Sequence, residues 1–283
     1  MPAMCAMAWT LSAEAQARLA RALGRHLARV RSGRAALERA RGVALLGESF
    51  DHDALFAASQ QNVIAEWLQL LRLQRPGARL PAVSLLGAEH IDAALARGSG
   101  AVLWVVRSTY SHTIAKVALH EKGYAVSHLS RLDHGFSPSR FGARVLNPIR
   151  TRVERRFLAE RVVIGDGAGP ALARLAELLR RNRLVSITVG GTASRKNEVP
   201  CLSGAIRLSP RPMLLARETG AALLPVVVEA LADGTFVTTV FPDLLADDEP
   251  GSDAPLRRLG EIIEHYVAKS PDQFAPALLS ELL

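Results

Sequence analysis

Residues 101–130 read AVLWVVRSTYSHTIAKVALHEKGYAVSHLS, and this stretch decides the fold class. The run Ala101–Val106 is continuously apolar, as expected of a strand buried on both faces. A polar knot follows, then Ser111–Lys122 with apolar residues at helical spacing, then a second strand-like run, Tyr124–Ser130. A strand, a helix and a strand in so short a span make a βαβ unit, whose two strands run parallel.

The same alternation extends in both directions. Upstream lie the strand AVSLLG and the helix EHIDAALARG. Downstream come the helix NPIRTRVERRFLAE, the strand RVVIG, the helix GPALARLAELLRRN, the strand LVSITV, the helix SPRPMLLARETG and the strands ALLPVVVEAL and TFVTTVFPDL. The expected fold is therefore α/β, with a mostly parallel central sheet flanked by helices. No internal repeat breaks this pattern.

The N-terminal part reads differently. Between Ser12 and Arg41, Leu19, Leu23, Leu27 and Val30 recur at helical spacing while arginines fill much of the rest, with a break near Ser32-Gly33. This predicts one or two basic amphipathic helices, packed on the core through the leucine stripe or laid on an anionic membrane surface. A further helix, HDALFAASQQNVIAEWLQLLRL, stops before QRPGARLP. The expected organisation is a helical N-terminal extension over residues 1–75 and an α/β domain over 76–283, joined as one unit.

The chain has 283 residues, 49% of them hydrophobic, ample for a large core. Its net charge of +8, mostly from arginine, favours phosphates, anionic lipid or an acidic carrier protein as partners. The arginines between Arg140 and Arg161 lack interleaved stacking aromatics, so a nucleic-acid partner is not expected. Cys5 and Cys201 stand far apart with no ligand spacing around them, which argues against a disulfide framework and against a metal site. MPAMCAMAW has no basic flank, and no apolar run reaches the ~18 residues of a spanning helix, so a cytoplasmic location is expected.

In a parallel sheet, ligands gather at the carboxyl ends of the strands. The loops to inspect follow Val106, Ser130, Ile164 and Val189: RSTYSH, RLDHGFSPSRFG, GDGAGP and GGTASRKNEVP. GDGAGP lacks the full dinucleotide spacing and reads as a strand-to-helix turn.

The order of these pieces resembles the lipid A biosynthesis lauroyl/myristoyl acyltransferase family, a branch of the lysophospholipid acyltransferase superfamily. The likeness runs from about residue 50 onward, through VSLLGAEHIDAALARGSGAVLWVV, NPIRTRVERRFLAERVVIGDG, LAELLRRNRLVSITV, NEVPCLSG, SPRPMLLARETGAALLPVVV and HYVAKSPDQF. It implies a glycerolipid-acyltransferase-like fold and transfer of a fatty acyl group from an acyl-carrier-protein or acyl-CoA thioester to a hydroxyl of a lipid or glycolipid. It implies no cofactor beyond that thioester, and attachment at the cytoplasmic face of a membrane. Members of the family usually carry an N-terminal spanning helix; here the arginine-rich helix from Ser12 would substitute for it.

The family's device is a histidine followed five positions later by a carboxylate, the H-x4-D/E motif. A hydroxyl needs a positioned base to attack a thioester, and the carboxylate fixes the imidazole tautomer. Aligning IAKVALHEKGY with the family's helix puts Ser108 at the histidine position and Thr113 at the carboxylate position. A second family block, with an acid near a glycine, falls at Gly190 or Gly191. The motif is thus degenerate, and three readings follow. His112, one helical turn from Ser108 and able to face the same cleft, replaces the lost base. Alternatively, His128 and Asp133, which alone keep the literal spacing, supply the pair. In the third reading the chain is a catalytically inactive homologue that binds lipid or protein. Arg131, Arg195 and Lys196 are the expected contacts to phosphate or the thioester carrier.

Overall fold

The computed structural model describes residues 2–30, 32–131, 147–165, 167–190, 196–247, 249 and 251–278. Four helices come first: α1 Pro2–Thr10, α2 Ala13–Val30, α3 Ser32–Leu46 and α4 His52–Leu73. Then follow β1 Val83–Leu86, α5 Ala88–Ala96, β2 Ala101–Val105, α6 Ser111–Glu121, β3 Val126–Arg131, α7 Asn147–Arg155 and β4 Glu160–Ile164. The chain continues through α8 Gly169–Arg180, β5 Leu184–Thr188, β6 Asn197–Cys201, β7 Gly204–Leu208 and α9 Arg211–Thr219. It closes with β8 Ala222–Ala230, β9 Phe236–Val240, α10 Ala254–Lys269 and α11 Pro271–Leu278.

The sheet order is β1-β9-β8-β2-β5-β3-β4. Strands β8, β2, β5, β3 and β4 are mutually parallel, while β9 runs antiparallel to β8 and β1 follows β9. The α/β class and the mostly parallel sheet are therefore as the sequence predicts, with an opposed pair at one edge. β2 is central because every residue in it can be buried. Val102 and Trp104 enter the core with Leu175, Leu179, Ile263 and Phe274 on the α8, α10 and α11 side. Leu103 and Val105 meet Ile91, Ile114 and Leu119 of α5 and α6 on the other. At ~1.5–3 kcal/mol per buried large apolar side chain, covering both faces is what holds a parallel sheet together.

Outside α6 lies a further layer. Leu70 and Leu73 of α4, Val117 of α6 and Val153 of α7 close around Phe157. The sequence predicts helix as far as Glu160, but the helix stops at Arg155. Phe157 turns into that cluster, and the Ala159 amide donates to Val126 O at 2.9 Å, which starts the β3–β4 ladder.

The leucine stripe of α2 is spent on packing. Leu19, Leu23 and Leu27 lie against Ile64, Leu68 and Leu71 of α4. Gly24 marks the closest approach, since a Cβ there would stand 2.7 Å from the Gln61 backbone. Of the residues read as the stripe, Val30 alone is exposed, while Arg18, Arg21, Arg25 and Arg29 face outward. Among the described residues, no helix is long and apolar enough to cross a membrane.

Candidate active site

A cleft of about 620 Å³ opens at the carboxyl ends of β2, β5, β3 and β4. Each loop singled out from the sequence contributes to its wall: Arg107 after β2, Arg131 at the end of β3, Ala168 after β4 and Gly190 after β5. The floor is apolar, formed by Trp104, Leu129, Ile164, Leu172, Ile187 and Val189. Arg211 and Pro212, from the first turn of α9, complete the rim.

Both candidate histidines reach this cleft. His112 sits in the first turn of α6 and is half-buried; His128 lies on β3 and is buried. The strand register sets His128 opposite Ser186, and its Nδ1 is 2.8 Å from the Ser186 hydroxyl. His112, His128, Ser186, Thr188 and Lys116 also share a small void on the α6 side of the sheet.

The altered motif positions do not join them. Ser108 is buried with its hydroxyl donating to Val228 O at 3.1 Å, while its amide donates to Ser111 Oγ at 3.1 Å. The expectation that Ser108 and His112 face one cleft is therefore corrected. The loop places Ser108 before the helix begins, so helical spacing does not apply to it and its hydroxyl turns to β8. Thr113 is buried, and its hydroxyl has no hydrogen-bond partner among the described residues.

The arginine-rich segment splits. Arg152, Arg155 and Arg156 are exposed, but Arg150 is buried with Nη2 2.7 Å from Glu66 Oε1. Arg161 turns back to Ser130 Oγ at 3.0 Å and Arg131 O at 2.8 Å, tying the end of β3 in place. Lys196 stands just before β6 and is not among the residues that form the cleft. Asp133, Arg140, Arg144 and Arg195 lie outside the described residues.

Below the helix that carries His112 is an ion network that sequence reading misses. Lys116 Nζ lies 2.9 Å from Glu154 Oε2 and 2.6 Å from His112 O, with both charged side chains almost wholly buried. Burial pushes the Lys116 ammonium below its ordinary pKa, against the opposing pull of Glu154. Burial likewise raises the Glu66 carboxyl, and outweighs the lowering by Arg150. The network ties α4, α6 and α7 together and holds the first turn of α6 by its backbone. Its sequence signal is faint: Lys116 and Glu154 look like ordinary solvated positions on amphipathic helices.

Among the described residues that line the cleft there is no aspartate or glutamate, against the three arginines Arg107, Arg131 and Arg211. Cys201 offers no nucleophile there, because it is fully buried and burial pushes its thiol up to about 12. No group of three or more potential metal ligands is assembled among the described residues. What the cleft can do is hold an apolar chain on its floor and an anionic group at its rim, with an imidazole beside both.

The comparisons with known proteins agree in kind. A profile of the bacterial lipid A biosynthesis acyltransferases matches residues 4–276. Over 178 residues the chain is 32% identical to a phosphatidylinositol mannoside acyltransferase of Mycobacterium tuberculosis (strain ATCC 25618 / H37Rv), covering 61% of this chain and 54% of that protein. The same enzyme from strain CDC 1551 / Oshkosh matches to the same extent. The chain thus spans about half the length of the curated relatives it matches.

Proposed function

The chain belongs to the bacterial lipid A biosynthesis acyltransferase family, and from that premise we propose that it moves a fatty acyl group from a thioester to a hydroxyl of a lipid or glycolipid. The observation that carries this reading is the cleft at the strand ends, with an apolar floor, an arginine rim and His112 at its edge. The donor is an acyl-carrier-protein or acyl-CoA thioester, whose phosphates suit a guanidinium rim. The chain works on the inner face of the cytoplasmic membrane, held peripherally.

In this mechanism His112 takes the proton of the acceptor hydroxyl as its oxygen attacks the thioester carbonyl carbon. The carbonyl oxygen becomes an oxyanion facing Arg131 or Arg107. As the C–S bond breaks, the imidazolium returns its proton to the departing thiolate, and ester and thiol leave. The Lys116 contact to His112 O fixes the turn that presents the imidazole. His128, held by Ser186, supports the wall beneath.

One observation favours a second reading. Ser108 is locked to β8, Thr113 is buried, and no described aspartate or glutamate lines the cleft, so the described lining does not reproduce the histidine–carboxylate motif. Under that reading the family fold binds an acyl lipid without transferring the chain.

Labelled acyl-carrier-protein and acyl-CoA, offered with a panel of lipid and glycolipid acceptors, separate the two. The expected result is acyl-lipid formation by the wild type and its loss, by on the order of a hundredfold or more, in His112→Ala. Acyl-lipid binding with no thioester consumed would select the second reading. Activity retained in His112→Ala but lost in His128→Ala would move the base to His128.

A further inference from the structure

A second cavity, of about 660 Å³, lies across the loop after β2. Arg107 of that loop and His112 at the start of α6 line the first cleft, whereas Tyr110 of the loop forms part of the second. Its walls come from α2, α4, the segment before β1 and the β8–β9 turn. Ala230 and Leu231, at the end of β8, place it at the same end of the sheet as the first.

The lining divides by chemistry. Leu68, Leu73, Leu80 and Phe236 give it an apolar floor. Arg21, Arg72 and Arg79 stand exposed around it, and Gln61 and Gln69 are half-buried within it. None of these five side chains makes a hydrogen bond or ion pair with the described residues, and no aspartate or glutamate is among the lining. Other polar groups there are already engaged: Asn62 donates to Asp272 Oδ2 at 2.7 Å, and Gln273 bonds both ways with Ala230. Three guanidiniums without an acid partner beside an apolar floor make a place for an anion that carries a hydrocarbon body.

We propose that this second cavity is a binding site for a phosphate-bearing amphiphile, with Arg21, Arg72 and Arg79 on the phosphate, Gln61 and Gln69 on the adjoining polar headgroup, and the leucine floor under its apolar part. Guanidiniums match phosphate oxygens in a fork, and carboxamides both donate to and accept from hydroxyls. The site stands by itself as a binding site. If the acyl-transfer reading holds, it is where the headgroup of a lipid enters from the side opposite the first cleft.

The test is calorimetric titration of the full chain with a short-chain phosphatidic acid below its micelle concentration, so that no membrane surface is present. Saturable one-site binding is expected, weakened about tenfold or more in the Arg72→Ala/Arg79→Ala variant, the loss of even one charge-assisted bond being worth roughly tenfold. Arg25→Ala/Arg29→Ala removes the same charge from exposed positions outside the cavity and should leave affinity within about twofold. Gln69→Leu should weaken a glycerol-bearing headgroup more than phosphatidic acid. Equal loss in the two double variants would overturn the site in favour of diffuse charge attraction. Inorganic phosphate binding as tightly as the lipid would overturn the amphiphile. Because binding is read without turnover, a chain that binds here yet transfers no acyl group upholds this site while failing the acyl-transfer reading.

Discussion

At the scale of single residues, Ser108 and His112 part company: the Ser108 hydroxyl is held by Val228 O, whereas His112 lines the candidate cleft. The loops after β2, β3, β4 and β5 were legible because apolar runs mark strands and polar runs mark their ends, and each supplies a wall of the cleft. Arg211 was hidden because it opens a helix far along the chain. Helical spacing predicts that Ser108 shares the cleft with His112, yet Ser108 precedes the helix and faces β8. That contrast makes a prediction. Ser108→Ala removes one buried hydrogen bond, so it should lower stability by about 1 kcal/mol in urea unfolding and leave any acyl-transfer rate within about twofold. His112→Ala should do the reverse, since His112 is only half-buried and lines the cleft. A large rate loss in Ser108→Ala would restore Ser108 to the chemistry.

At the scale of elements, the parallel strands and their covering helices were legible from apolar period, whereas the β6–β7 hairpin was not. Pro200 stands within β6, and the turn places Leu202 at φ 51° rather than using a glycine-based signal. The buried ions were equally hidden, because the partners lie on three helices. Removing one partner of Lys116–Glu154 leaves a lone buried charge, so Glu154→Gln should cost ~3–5 kcal/mol by denaturant unfolding. Lys116→Met/Glu154→Leu should recover most of that loss, and a double variant no more stable than the single would refute the pairing. Glu66 adds a pH signature. Its folded pKa lies above its ordinary 4.5, so the folded chain keeps a proton that the unfolded chain has released. Stability should therefore fall as pH rises from about the ordinary glutamate value through the raised one, and Glu66→Gln should flatten that fall.

At the scale of the whole molecule, the proposed peripheral attachment asks what a chain with a net charge of +8 would present to a lipid surface. Because α2 packs the half-buried Leu19, Leu23 and Leu27 against α4, it cannot insert the whole of that stripe into a bilayer without unpacking. What remains outward is a row of arginines, Arg18, Arg21, Arg25 and Arg29, joined by Arg39 and Arg41 of α3. Each contributes about 1 kcal/mol near an anionic surface, and that attraction is screened within a Debye length. Association with vesicles should therefore require anionic lipid and fade by roughly half a molar salt, where the Debye length is only ~4 Å. Arg25→Glu/Arg29→Glu should reduce co-sedimentation by about tenfold or more at low salt, while short-chain phosphatidic acid binding in the second cavity stays near wild type. Gly24→Leu tests the packing side of the same argument: a side chain there meets the Gln61 backbone, so α2 must lift from α4 at a cost of ~1–3 kcal/mol. If that lifted helix bound neutral vesicles in high salt, the stripe and not the arginines would be the membrane contact. If instead Gly24→Leu loses stability and keeps the wild-type salt dependence, the helix serves the membrane through charge alone.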